Sequence, residues 1–172
     1  MRLGMIAFAA CSLLAGSVYA QGYVAPDGRT EAQLIAAHVL PNPVTTPGVL
    51  NPAVSDATKA QTVCKANWTA TVRPPVSYTD KLRAADVMPG HQPAEFELDH
   101  LLSIEDGGSP ASPQNLWDMI YADHYGARVK DVLETKMHRL YCAGTVTLDQ
   151  ARAALSPNWL VGYVQYVGAL PK

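Results

Sequence analysis

The sequence predicts an α+β fold: a small, helix-rich domain built round one hairpin and the helix that follows it. Three observations carry that expectation. Glu95 to Ser103 alternates in polarity, with Phe96, Leu98, His100 and Leu102 on one side and Glu97, Asp99 and Leu101 on the other, the period of a strand. A turn composition from Glu105 through Gly107-Gly108 to Pro110 follows, and then a second short apolar run, Leu116-Trp117, opened by Asn115. From about Asp123 to Tyr141 the period changes to that of a helix, closed by Cys142-Ala143-Gly144.

Residues 1–20 read as a secretory signal peptide. Arg2 supplies the positive start, Met5 to Leu14 the apolar centre, and Val18-Tyr19-Ala20 the small-residue cleavage site. Gly4, Ser12, Gly16 and Ser17 interrupt a run that is already shorter than the roughly 20 residues of a membrane span. The expected organisation is a leader over 1–20, an N-terminal helix and Pro-rich connector over 21–53, and the main domain over 54–172, secreted or periplasmic and with no membrane span once the leader is gone. The remaining 152 residues (172 − 20) suit one small domain. Removing Arg2 leaves 12 Lys and Arg against 15 Asp and Glu, a formal charge of −3. That balance counts against a protein that coats DNA through a broad basic surface, because phosphate neutralisation drives such binding. Cys64 and Cys142 then remain, and an exported pair is expected to form one disulfide. The chain-entropy account gives closure of a loop that long about 4 kcal/mol.

Along the chain, Thr30 is placed to cap a helix over Glu31 to Leu40, which Pro41-Asn42-Pro43 stops. Prolines 41, 43, 47 and 52 make the next stretch an irregular connector whose low charge suits a position against the domain. Ser55 is expected to cap a short helix towards Thr62. The β-branched run Thr69 to Thr79 favours extended structure, and a short helix is expected over Lys81 to Val87. Lys65, Arg73, Lys81 and Arg83 concentrate positive charge in an acidic chain. They suit either a phosphate-facing patch or an ordinary charged surface.

Adjacent residues of a flat strand point to opposite faces, so Asp99 and His100 can share a site only at a strand end, twist or bulge. On a helix begun near Asp123, His124, Ala127, Asp131, Glu134 and His138 form one stripe, opposite Val129, Leu133, Met137 and Leu140. His124 and His138 would then stand about 21 Å apart along the axis, too far to share one ion. A break at Gly126 would instead favour Asp131, Glu134 and His138. The polar stripe also suits a solvated face with a Lys130–Glu134 pair. Arg128, Lys130, Lys136 and Arg139 are candidates to meet phosphate. Thr147 and Gln150 form a capping box for a further helix, and Trp159, Tyr163 and Tyr166 recur at a spacing that suits packing.

Over residues 45–160 the pattern resembles the HNH (ββα-metal) endonucleases, in particular a bacterial exported subgroup. The shared pieces are Thr-Val-Arg-Pro-Pro, Glu-Leu-Asp-His, Gly-Gly, Asn-Leu-Trp, and the Lys-Asp…Leu-Glu…His…Cys run of the last long helix. The resemblance implies a hairpin and helix around one divalent metal, Mg²⁺ first and Mn²⁺, Ni²⁺ or Zn²⁺ as alternatives. It makes Asp99 a metal ligand, His100 the general base and Asn115 the residue that ties the loop and helps hold that base. His124, nine residues after Asn115, is the second ligand, with His138 the alternative. Four residues further on, where many members carry another His, this chain has Arg128, which leaves the third ligand open. Histidine suits the base because its ordinary pKa lies near neutrality. The implied function is metal-dependent hydrolysis of DNA or RNA, with Arg73, Lys81, Arg128 and Lys130 binding substrate. The alternative is a catalytically inactive HNH-fold binding module of the cell envelope.

Overall fold

Alternation in one short stretch and helical periodicity in the next produce a two-stranded hairpin set against a layer of helices. The structure, a computed structural model, describes residues 22–85 and 90–172. The expected leader, residues 1–20, and the end of the expected helix at Val87 lie outside the described residues. In chain order the elements are α1 (Glu31–Ala36), α2 (Trp68–Val72), α3 (Val76–Ala85), β1 (Phe96–His100), β2 (Leu116–Ile120), α4 (Ala127–Cys142), α5 (Leu148–Leu155) and α6 (Trp159–Tyr166). This is a small α+β arrangement. No helix of the described residues is long and apolar enough to cross a membrane.

β1 and β2 pair antiparallel, Phe96 opposite Ile120 and His100 opposite Leu116. The connection between them is held from inside. Asn115, with no exposed surface, donates through Nδ2 to Leu102 O and Ser109 O, both at 2.9 Å, and accepts from Leu102 N at 3.0 Å. The Gly107-Gly108 pair is sterically required here. Gly107 takes φ +82°, and a Cβ on Gly108 would lie 1.8 Å from Leu102 O.

α4 runs along the core. Leu133, Met137 and Tyr141 are wholly buried, and Val129 and Leu140 pack on the same cluster from its edge. α5 and α6 pack on α4 and on each other. Thr147 and Gln150 form the capping box of α5. α5 and α6 approach closely at Gly162, where a Cβ would meet Ala154 O at 1.9 Å. Leu34, Val39 and Leu40 join the same core, and the buried Trp159 indole donates to Val39 O at 2.9 Å. The Pro-rich connector is bonded to the hairpin loop: Gly48 N donates to Gln114 O and Ser109 N to Val49 O. Cys64 and Cys142 form a disulfide that joins the segment before α2 to the end of α4.

Four local expectations are corrected. α1 stops at Ala36, because His38 takes φ +55° and turns the chain early. Residues 55–62 form successive turns without a helix, with the Thr58 hydroxyl bonded back to Ala53 O. Residues 69–72 and 76–79 are helical where β-branched residues favoured extension. α2 ends at the Arg73-Pro74-Pro75 elbow, and α3 starts at Val76, five residues before the expected start, with Tyr78 N bonded to Pro75 O. α2 buries no residue, and without a neighbouring strand to pair with, the β preference is weak. The long helix starts at Ala127. Gly126 caps it, and a Cβ there would lie 2.6 Å from Tyr121 O.

Candidate functional site

The end of β1 solves the problem that alternation posed. His100 is the last residue of the strand, and the Asp99 carboxylate folds back to accept the His100 backbone N–H at 2.8 Å. Both side chains therefore line one cavity of about 350 Å³. Glu97 enters it from the same strand, two residues before Asp99. Asp131 and Glu134 enter from α4, Glu105 from the hairpin loop, and Arg73 from the elbow after α2.

His100 is 8% exposed, and its Nε2 lies 3.0 Å from Pro110 O. A carbonyl only accepts, so Nε2 carries the proton and Nδ1 is the nitrogen free to take one. Burial pushes the imidazole below its ordinary pKa. The Pro110 bond and Asp99 oppose that shift, while Arg73 and Lys130 add to it. Burial thus favours the neutral ring, the state a proton acceptor requires.

Lys130 is the feature that sequence reading misplaced. It was expected to offer its charge to phosphate, yet it has no exposed surface. Its Nζ donates to His100 O at 2.7 Å, lies 2.9 Å from Asp99 Oδ2, bonds the Glu134 carboxylate and sits over the Trp117 ring. Burial alone would lower its pKa. Asp99 and Glu134 outweigh burial and keep the ammonium charged. One ammonium serves two carboxylates, and burial still pushes Glu134 well above the usual carboxylate range. Glu97 is pushed up by burial and by the charges of Asp99 and Asp131, and Asp131 by burial and Asp99. The cavity thus holds more carboxylate than its own cations neutralise.

The other expected residues are distributed differently. His124 lies in the turn before α4, 54% exposed, with Nε2 3.6 Å from Asp27 and its ring against Tyr125, away from the cavity lining. His138 also lies outside that lining, with Nδ1 3.1 Å from Glu105 O and 3.9 Å from Cys142 Sγ. Arg128 is exposed over the Tyr121 ring, and Lys81 is exposed on α3. Of the four expected substrate-binding cations, Arg73 alone reaches the cavity wall. Glu97 was not among the expected site residues, although its i, i+2 relation to Asp99 put it on the same strand face.

Whether these residues suit a divalent ion rests on the chemistry of the donors. Glu97, Asp99, Asp131 and Glu134 offer oxygen ligands only, which suits a hard cation, and their excess negative charge favours one. Among the described residues no three His, Cys, Asp or Glu side chains stand as a ready ligand cluster. The fit is therefore one of charge and donor type.

Comparison with family models, with curated proteins and with solved structures finds no match.

Proposed function

We propose that this cavity is the active site of an exported, HNH-type hydrolase that cuts phosphodiester bonds of DNA or RNA. The observation that carries the reading is His100: a buried imidazole with its Nε2–H fixed on Pro110 O, in the same cavity as five carboxylates. His100 Nδ1 takes a proton from water, the oxygen so freed attacks phosphorus, and the P–O bond to the leaving sugar breaks. Glu97, Asp99 and Asp131 would hold a divalent ion, Mg²⁺ first, which would neutralise the phosphate and stabilise the leaving oxygen. The charge balance supports that requirement, because a phosphate entering this acidic cavity alone would be repelled. Arg73 at the wall is placed to meet the phosphate that follows. The Cys64–Cys142 disulfide suits an oxidising compartment outside the cytoplasm.

A second reading has its own support. Lys130 already occupies Asp99 and Glu134, as expected of an HNH-fold module that binds without cutting. One assay separates the two. Protein lacking the leader is incubated with plasmid and with RNA in Mg²⁺, Mn²⁺, Ni²⁺ or Zn²⁺, with and without EDTA, beside His100→Ala. Cleavage lost with EDTA and reduced at least 100-fold by His100→Ala supports the hydrolase. Nucleic acid retained uncut under every metal favours the module.

A further inference from the structure

Three consecutive backbone carbonyls in the hairpin loop are each taken by a side chain from a different element. Ser109 O accepts from Asn115 Nδ2 at 2.9 Å, Pro110 O from His100 Nε2 at 3.0 Å, and Ala111 O from the Tyr78 hydroxyl at 2.6 Å. The middle carbonyl fixes the tautomer of His100. Its neighbours decide where that carbonyl points, since rotation of either adjoining peptide plane would move it. Asn115 secures one side from within the hairpin. Among the described residues the other side is secured by α3, a helix from outside it that packs on β1. The Pro74-Pro75 elbow sets where α3 starts, and Tyr78 N is bonded to Pro75 O at 2.9 Å, which places the hydroxyl over the loop.

We propose that Tyr78 is a positioning residue for His100: its hydroxyl, by holding Ala111 O, keeps Pro110 O where it selects the Nε2–H tautomer. The kinetic consequence rests on the reading of His100 as base; the tether itself does not. Asn115 is buried and structural, whereas Tyr78 is half-buried, and its hydroxyl can be removed without opening the core.

The test is Tyr78→Phe, made in the chain without its leader and labelled with ¹⁵N-histidine. His100→Gln serves only to assign the His100 imidazole signals. Wild type should show His100 as a single Nε2–H tautomer at neutral pH. In Tyr78→Phe the two ring-nitrogen shifts should move towards each other, as tautomers mix, with the melting temperature unchanged. Where cleavage is measurable, kcat should fall about three- to tenfold, the worth of one ordinary hydrogen bond, with KM held within twofold. Unchanged nitrogen shifts in Tyr78→Phe would overturn the proposal, whatever the kinetics. Shifts that move in a protein that cuts nothing would support the tether and count against the hydrolase. The two failures are thus distinguishable.

Discussion

Lys130 and Arg29 each stand between two carboxylates, one in the interior and one near water. Lys130 holds Asp99 and Glu134 with none of its side chain exposed. Arg29 holds Asp123 through two bonds of 2.6 and 2.8 Å, and Asp27 at 2.7 Å, with 23% of its side chain exposed. Burial would raise Asp123. The Arg29 bonds and the Tyr125 N–H outweigh it and hold the carboxyl below its usual range. The charge pattern is the same in both places, and the contacts of Arg29 are if anything more numerous. What differs is the solvent. Water can replace Arg29 at Asp123, whereas Asp99 and Glu134, 10% and 13% exposed, have little water to replace Lys130. Ion-pair count says little about stability, and the cost of removing one partner says where the pair sits.

Lys130→Met is the largest test of that contrast. It leaves two buried carboxylates with no cation and should cost about 3–5 kcal/mol in urea unfolding, nearly independent of salt. A loss below 1 kcal/mol would mean that the carboxylates simply take up protons. Asp106 sharpens the same point. It is wholly buried beside Ser103, and burial pushes its carboxyl up to about 7, with the Ser103 bond pulling it down and Glu105 pushing it further up. A raised carboxyl favours the folded state when protonated. Its contribution is complete below the unfolded value near 4 and is lost as pH rises through about 7. Wild type should therefore lose stability relative to Asp106→Asn between pH 4 and 7, by roughly 3 kcal/mol. Parallel pH curves for the two proteins would contradict the burial account. Arg29→Met is the smallest effect. It should cost about 1 kcal/mol or less, shrinking further in 1 M salt. A loss matching that of Lys130→Met would erase the comparison.

The same contrast explains what the sequence could and could not reveal. The hairpin was legible because alternation, Gly107-Gly108 and Asn115 are local signals of a local structure. The buried face of α4 was legible through Leu133 and Met137, and the α5 cap through Thr147 and Gln150. Lys130 was not legible. Its position follows the same helical period as Leu133 and Met137, but a lysine is assigned to water unless its partners are known. The pair with Glu134 was expected from its i, i+4 spacing, but the other partners, Asp99 and the His100 carbonyl, are about 30 residues away on another element. His124 stands away from the cavity for a related reason: the helix expected from Asp123 starts at Ala127, four residues on, and leaves His124 in the turn before it. α2 illustrates the weakness of β-branched residues as a guide outside a sheet.

Every residue lining the cavity, from Thr69 to Thr135, falls between the two half-cystines at 64 and 142. The whole site is thus enclosed in one covalent ring. A protease that nicks any single bond within that ring separates no fragment: both halves of the cleft stay on one molecule until the bridge is reduced.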